Sequence, residues 1–242
     1  MKPTIILVHG AWADGSNWRK VIAELRPQGF EIVAAQIPLT SFEDDVETVV
    51  RLTARQQKPV VMVGHSYSGA VITAAASRTQ GTKALVYITA YAPEEDETIG
   101  AIRQKDPGHP LRPELAPDAE GFVWMSLPGV QNALVHGADE TEQQLFFASQ
   151  KPIAAKILGE KMPTPSWKTI PSWYLVCEDD RMCDVQTQRF MAERAGAKIV
   201  SARCGHMPLL SQPNVVAEII AEAAHSNSAT TLILMRRPTT SV

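Results

Sequence analysis

The stretch PVVMVGHSYSGAVITAAA, residues 59–76, decides the fold of this chain. Residues 59–63 are nearly all valine, which is typical of a strand buried on both faces of a parallel sheet. Residues 70–76 are small and apolar, which favours a helix that packs closely on such a strand. Of the six residues between them, 64–69, three that surround Ser66 are small: Gly64, Ser68 and Gly69. The stretch therefore predicts a strand, a tight turn and a helix, with Ser66 at the apex of the turn.

The same strand and helix alternation extends outward in both directions. Apolar runs predict strands at residues 4–8, 30–35, 59–63, 83–89, 172–177 and 198–201. Helical spacing of apolar residues predicts helices at residues 16–27, 42–55, 70–76, 185–195 and 214–224. Alternation with short connections favours a doubly wound, mostly parallel sheet covered by helices, which is an α/β fold.

One long segment interrupts this alternation. Residues 93–168 hold nine of the seventeen prolines, no apolar run comparable to the other strands, and an isolated helical stretch at 140–148. The sequence therefore predicts a core of residues 1–92 and 169–224 with a helical lid, residues 93–168, inserted into it. Residues 225–242 form a C-terminal tail to which the sequence assigns no role.

Composition narrows the function classes. Hydrophobic residues make up 45% of the chain and the net charge is −3, with no basic stripe that would bind a nucleic acid backbone. No apolar run approaches the ~18 residues of a membrane span, and the first residues do not resemble a signal peptide, so we expect a cytoplasmic protein. The oligomeric state stays open between a monomer and a homodimer.

The metal-binding residue types do not cluster in the sequence. The three cysteines, Cys177, Cys183 and Cys204, lack C-x-x-C spacing, so we expect reduced thiols rather than a disulfide or zinc site. The acidic run at residues 94–97 has no histidine or cysteine among it and is interpreted as a solvated surface. No metal or cofactor is expected.

Ser66 is the candidate nucleophile. A serine at the apex of a strained turn needs small flanking residues, and Gly64, Ser68 and Gly69 meet that need, although Ser68 stands where the G-x-S-x-G pattern has its last glycine. Of the six histidines, His206 alone lies in a short loop between a late strand and the last helix, which makes it the preferred general base. The others are interpreted as structural or surface residues: His9, His65, His109, His136 and His225.

The base needs an acid to orient it, and acyl transfer needs donors for an oxyanion. The loop after the strand at 172–177 offers Asp180 as the first choice and Asp179 as a close competitor, with Glu94 or Glu95 a distant third. Backbone N–H groups of Tyr67, directly after the nucleophile, and of Ala11, after the first strand, are the expected oxyanion donors.

Four motifs together resemble a known family. They are HGAW at residues 9–12, GHSYSG at 64–69, EDDR at 178–181 and GHMP at 205–208. In this combination the chain resembles the small α/β-hydrolases that include plant methyl esterases, hydroxynitrile lyases and their bacterial relatives. The resemblance spans residues 4 to about 224. It implies the α/β-hydrolase fold, a triad on Ser66, Asp180 and His206, and oxyanion amides on Ala11 and Tyr67.

Departures from the family pattern separate its reactions. The lyases carry a threonine after His-Gly and a lysine after the catalytic histidine, whereas this chain has Ala11 and Met207. An esterase is therefore favoured over a lyase. A non-catalytic binding protein would be expected to lack a triad member, a cofactor-free oxygenase is the rarer use of such a site, and dehalogenases and epoxide hydrolases need aspartate at position 66.

The substrate is expected to be a small-to-medium, uncharged carboxylic ester. Four lid residues are candidates to line an apolar pocket and are equally compatible with lid core: Trp124, Met125, Phe146 and Phe147.

Overall fold

The computed structural model describes residues 2–226 and is built around a six-stranded sheet. The strands are β1 (Thr4–Val8), β2 (Glu31–Ala35), β3 (Val60–His65), β4 (Thr82–Ile88), β5 (Phe122–Val123), β6 (Ile153–Ala154), β7 (Ser172–Cys177) and β8 (Lys198–Ala202). The main sheet has the order β2-β1-β3-β4-β7-β8, and every neighbouring pair in it is parallel. The short strands β5 and β6 pair with each other in antiparallel orientation.

Helices flank this sheet. They are α1 (Arg19–Leu25), α2 (Phe42–Ala54), α3 (Ser68–Ser77), α4 (Ile99–Lys105), α5 (Leu127–Gly129), α6 (Glu140–Ser149), α7 (Val185–Arg194), α8 (Pro208–Ser211) and α9 (Pro213–His225). Short 3₁₀ turns lie at Gly15–Trp18, Arg26–Gln28, Ala155–Gly159 and Ser166–Lys168, and a π-helical turn follows α5 at Val130–Leu134. Helix α1 packs against α9 and α2 packs against α3, while α3 and α9 both contact β3 and β4. All residues of β3 are buried, as a valine-rich strand between two helical layers requires.

The predicted fold class is confirmed by this architecture. Strands β1 and β7 have the predicted bounds, β3 continues two residues further to His65, and α9 ends at His225. The inserted segment, residues 93–168, contains α4, α5 and α6 but also the β5–β6 pair, which its sequence did not predict because each strand has only two residues. Of the predicted tail, residues 227–242 lie outside the described residues. Within residues 2–226 no helix is both long and apolar enough to cross a membrane.

The strand order creates one place for a site. Strands β2 and β3 lie on opposite sides of β1, so the chain leaves β1 and β3 in diverging directions and opens a crevice at their carboxyl ends. Since the six strands are parallel, the loops after β1, β3, β4, β7 and β8 all meet at this edge. Four of these loops, those after β1, β3, β7 and β8, hold the candidate site residues. These residues are Ala11, Ser66, Tyr67, Asp180 and His206.

The backbone of the turn after β3 packs closely against Gly64. A Cβ atom at this position would lie 2.5 Å from the carbonyl oxygen of Ser68 and 2.8 Å from the amide nitrogen of Gly69, both of which are backbone atoms. We therefore expect Gly64→Ala to lower the free energy of unfolding by about 2–3 kcal/mol, measured by urea denaturation. Gly159→Ala is the matched control, since nothing lies within 4 Å of a Cβ atom there. Equal stability of the two variants would contradict this account of the turn.

Candidate active site

Ser66 lies in a strained turn between β3 and α3. Its φ angle is 52°, in the left-handed region that a residue with a side chain seldom adopts. Its amide donates to the carbonyl of Ile88 (3.2 Å), and its carbonyl accepts from the amides of Gly69 (3.1 Å) and Tyr91 (3.0 Å). These three hydrogen bonds hold the turn in place and leave the hydroxyl facing the crevice.

His206 connects Ser66 to Asp180. Its Nε2 atom lies 2.9 Å from Ser66 Oγ and its Nδ1 atom lies 2.7 Å from Asp180 Oδ2. An ionised carboxylate can only accept, so Nδ1 carries the proton and the neutral Nε2 is left to accept from the serine hydroxyl. All three side chains are buried, with His206 only 2% exposed. The structure therefore brings together the three residues that the sequence selected.

Asp180 sits in a dense set of donors. Its Oδ1 atom accepts from the amides of Met182 (2.7 Å) and Cys183 (3.0 Å), and its Oδ2 atom accepts from the Thr89 hydroxyl and from Gln188 Nε2 (3.3 Å) as well as from His206. Burial alone would raise the pKa of Asp180. The interaction with His206 and these hydrogen bonds outweigh burial and lower it, so the side chain is an anion at neutral pH.

The other acids considered from the sequence lie elsewhere. Asp179 is exposed and its carboxylate lies 4.0 Å from Arg203. Glu94 pairs with Lys168 at 2.5 Å, and Glu95 is exposed. None of the three contacts His206 in the described part of the chain, so geometry selects Asp180 as its partner.

Ala11 and Tyr67 line the same pocket as Ser66 and His206. Within residues 2–226 neither amide has a hydrogen-bond acceptor, which leaves both free to bind a substrate oxygen. The loop of Ala11 reaches this position because residue 10 is glycine: a Cβ atom there would lie 2.8 Å from His65 Nδ1 and 3.0 Å from Ser66 Cβ. The Ser68 hydroxyl fastens the two loops together by donating to the carbonyl of His9.

Three further hydrogen bonds support this pair of loops and were not found from the sequence. The Tyr67 hydroxyl donates to Asp45 Oδ2 (2.7 Å), and the amide of Leu39 donates to Asp45 Oδ1 (2.7 Å). Burial raises the pKa of Asp45 to about 6, although both hydrogen bonds oppose the shift. The indole of Trp12 donates to the carbonyl of Val123 (2.9 Å), which joins the loop after β1 to the inserted segment. Sequence reasoning offers no local signal for contacts between such distant residues.

His65 supports His206 from behind. Its Nε2 atom lies 2.7 Å from the carbonyl oxygen of His206 and therefore carries a proton, because a carbonyl only accepts. Burial, followed by the charge of nearby His206, lowers the pKa of His65 to about 3. The sequence predicted only a packing residue that points away from Ser66. The structure gives this neutral imidazole a definite role, since it fixes the backbone of His206.

The pocket over Ser66 is narrow and mostly apolar. The space inside it that a water-sized sphere can occupy is only about 30 Å³. Its walls come from the core and from the inserted segment: Ala11, Trp12, Ser66, Tyr67, Tyr91, Ile99, Arg103, Leu115, Val123, Ile153, Leu158, Met182 and His206. Its mostly apolar lining is of the kind that contacts the apolar part of a small organic molecule.

The four lid residues suggested as pocket lining do not line the pocket over Ser66. Met125 and Phe146 are buried within the inserted segment, whereas Trp124 is 51% exposed and Phe147 is 36% exposed. The pocket-lining interpretation was therefore wrong for all four, and the alternative of lid core holds for Met125 and Phe146. Hydrophobic character alone could not show which side of a short element faces the pocket.

The three cysteines are free and buried, as expected.

Comparison with known proteins places this geometry in a family. Residues 5–219 match the model of the family described as "Alpha/beta hydrolase family". The chain belongs to the alpha/beta hydrolase family. This finding confirms the predicted family, whose fold is the one expected of a carboxylesterase-type enzyme.

Curated relatives within the alpha/beta hydrolase family cover nearly the whole chain. The chain is similar to alpha/beta hydrolase nvfD of Aspergillus novofumigatus, with 28% identity over 93% of this chain and 97% of that protein. It is also similar to methylesterase 2 of Arabidopsis thaliana, with 21% identity over 90% of this chain and 94% of that protein. A crystal structure of a pyrethroid hydrolase from Sphingobium faniae superimposes with a TM-score of 0.80 at 22% identity, covering 94% of this chain and 99% of that one.

The buried histidines predict acid sensitivity. Burial lowers the pKa of His65 to about 3 and that of His9 to about 4, so both bind a proton more readily when the chain unfolds. Stability is therefore present above the unfolded pKa of about 6.5 and is lost as the pH falls below it. Each histidine should lower the free energy of unfolding by about 1 kcal/mol between about pH 7 and about pH 5.5.

His65→Gln keeps an N–H donor and removes one of the two titrations. We expect urea denaturation at the two pH values to show a loss about 1 kcal/mol smaller than in the wild type. The exposed His225→Gln is the control and should keep the wild-type dependence. An unchanged pH dependence in His65→Gln would show that this imidazole is not held neutral by burial.

Proposed function

We propose that this protein is a serine hydrolase that cleaves a small-to-medium carboxylic ester through an acyl-enzyme on Ser66. The observation that carries the proposal is the continuous hydrogen-bonded series from Ser66 Oγ through His206 to the buried Asp180 carboxylate. The hydrolase and esterase names of its relatives support the same reaction. The proposed substrate is a small molecule, and no step of the reaction needs a cofactor.

The first half of the reaction forms the acyl-enzyme. Ser66 Oγ attacks the ester carbonyl carbon while His206 Nε2 takes the hydroxyl proton, which becomes possible because Nε2 is unprotonated and 2.9 Å away. The imidazolium that forms is stabilised by the Asp180 carboxylate. The oxyanion is bound by the amides of Ala11 and Tyr67, and the intermediate collapses as His206 returns the proton to the leaving alcohol.

The second half reverses these roles with water. Water takes the place of the alcohol and attacks the acyl carbon, and His206 Nε2 accepts its proton. A second oxyanion forms in the same amide pair. Collapse of this intermediate returns the proton to Ser66 and releases the carboxylic acid. Asp180 stays ionised throughout because its donors hold its pKa low.

The inserted segment supplies the substrate chamber. Six pocket residues lie within 93–168, and they are Ile99, Arg103, Leu115, Val123, Ile153 and Leu158. We propose that this segment acts as the lid that excludes water and determines which esters fit. The neutral, buried Met207 stands where a related lyase has a lysine to receive cyanide, which supports hydrolysis over cyanohydrin cleavage.

Replacing the nucleophile tests the proposal directly. Ser66→Ala should lower turnover of p-nitrophenyl acetate and butyrate by roughly 10⁴-fold or more, because a triad acts as a unit. Ser77→Ala, at an exposed position at the end of helix α3, should retain activity. An organophosphate should label the wild type and not Ser66→Ala, as shown by mass spectrometry. Efficient mandelonitrile cleavage by the wild type without ester turnover, after subtraction of spontaneous decay, would instead establish a lyase.

The assignment of the acid has its own test. Asp180→Asn should lower kcat by about 10⁴-fold, because His206 loses both the partner that sets its tautomer and the charge that stabilises its protonated form. Asp179→Asn is a matched control one residue away, and we expect less than about a three-fold change since its carboxylate faces solvent. Steady-state kinetics on p-nitrophenyl butyrate measure both. A larger loss in Asp179→Asn would move the triad to that residue.

A further inference from the structure

One cation stands in the otherwise apolar wall of the Ser66 pocket. Apart from His206, Arg103 is the pocket-lining side chain, among the described residues, that can carry positive charge. The same wall contains the aliphatic side chains of Ile99, Leu115 and Leu158. A guanidinium at the edge of such a surface gains little there unless an anion or acceptor binds it.

The placement of Arg103 follows from helix α4. The helix begins after Thr98, whose hydroxyl accepts from the amide of Ala101 (3.0 Å), and Ile99 and Ile102 anchor it in the core. Ile99 and Arg103 are four residues apart, so they lie on the same face of the helix, and both line the pocket. Burial raises the pKa of Tyr91, another residue of the pocket wall, and the charge of Arg103 opposes that rise.

No acidic side chain of the protein neutralises this guanidinium. Within residues 2–226 no carboxylate oxygen lies within 4.0 Å of it. The nearest candidate on the same segment, Asp106, is already engaged: its Oδ1 atom accepts from Arg112 (2.9 Å) and the amide of Gly108 (2.7 Å), and its Oδ2 atom accepts from the amide of Asp184 (3.0 Å). Arg103 is therefore half-buried and available to a ligand.

The far side of Arg103 opens towards the surface. Arg103, Leu115 and Leu158 also line an outer depression that includes His109 and Arg112. These three residues thus form the partition between the Ser66 pocket and the outside. The depression also contains Glu114, and its Arg112 is paired with Asp106 (2.9 Å), so Arg103 is the cation that this side shares with the Ser66 pocket.

We propose that Arg103 binds a carboxylate on the substrate, so that the preferred esters carry an anionic group at the end remote from the scissile bond. This inference rests on the proposed ester hydrolysis and names its substrate class. It replaces the uncharged ester expected from the sequence, because Arg103 places a cation at the partition between the pocket and the outer depression. The carboxylate belongs either to the acid part or to the alcohol part of the ester, and both are compatible with one guanidinium at the partition.

Matched ester pairs test the proposal. For the acid part, mono-p-nitrophenyl glutarate is compared with p-nitrophenyl valerate, which has similar length, the same leaving group and no charge. For the alcohol part, 4-acetoxybenzoate is compared with phenyl acetate. We expect wild-type kcat/KM to favour the anionic member of at least one pair by roughly ten-fold or more, as a charge-assisted hydrogen bond predicts.

Substitution of Arg103 should remove that preference selectively. Arg103→Met should lower kcat/KM for the preferred anionic ester by roughly ten-fold and change the neutral ester by less than about three-fold, whereas Arg103→Lys should restore part of the difference. Lys105→Gln on the same helix is the control for general charge, because Lys105 is exposed and outside the pocket. Equal effects of Arg103→Met on both members, or wild-type preference for both neutral esters, would overturn the proposal.

A binding measurement separates this inference from the proposed reaction. Glutarate monomethyl ester is titrated calorimetrically into Ser66→Ala and into the double variant Ser66→Ala/Arg103→Met. Roughly ten-fold weaker binding by the double variant supports the carboxylate site even if the wild type hydrolyses neither ester pair, in which case only the reaction would be wrong. Equal binding by the two proteins would overturn the Arg103 site whatever the activity.

Discussion

The turn at Ser66 is the constraint on which the other features of this molecule depend. A non-glycine residue held at a φ of 52° stores on the order of 1–3 kcal/mol of strain, and this strain persists only where the surroundings fix it. Here the strain is offset by three backbone hydrogen bonds to the turn and by the close fit of Gly64 beneath it. Because the turn is fixed, the hydroxyl of Ser66 and the amide of Tyr67 have fixed positions, and the other loops are built to meet them.

Charge in the site is controlled by burial and by donors acting in opposite directions. Asp180 is buried yet stays an anion because it accepts hydrogen bonds from several donors, whereas His65 is buried with one acceptor and stays neutral. The rings of His65 and His206 lie 5.1 Å apart, so a charge on one disfavours a charge on the other. Because His65 stays neutral, it places no positive charge beside His206, which contacts both Ser66 and the anion.

Sequence patterns predicted the parts of the structure that have a local cause. The valine-rich strand, the small residues around Ser66 and the short loop of His206 each leave a signal within a few positions, and all three occupy the predicted places. The donors to Asp180 leave no such signal: Thr89 is 91 residues away, and Gln188 looks like any polar residue of an amphipathic helix. Residues in the inserted segment were harder still, because helices and strands of two to ten residues have too few positions to show which face is buried.

The two backbone amides proposed as oxyanion donors, those of Ala11 and Tyr67, belong to loops that are held by side chains far from the reacting atoms. The Tyr67 side chain is held by the hydrogen bond from its hydroxyl to the Asp45 carboxylate in the first turn of α2. The loop of Ala11 is held by the hydrogen bond from the Trp12 indole to the carbonyl of Val123 on the inserted segment. Burial raises the pKa of Asp45 to about 6, which still leaves the carboxylate charged at neutral pH. The hydrogen bonds from Tyr67 and Leu39 favour this charged form because they oppose the effect of burial. Tyr67 therefore both presents a backbone donor to the pocket and stabilises the buried anion that holds it there. This hydrogen bond thus links the residue that follows the nucleophile to the first turn of α2.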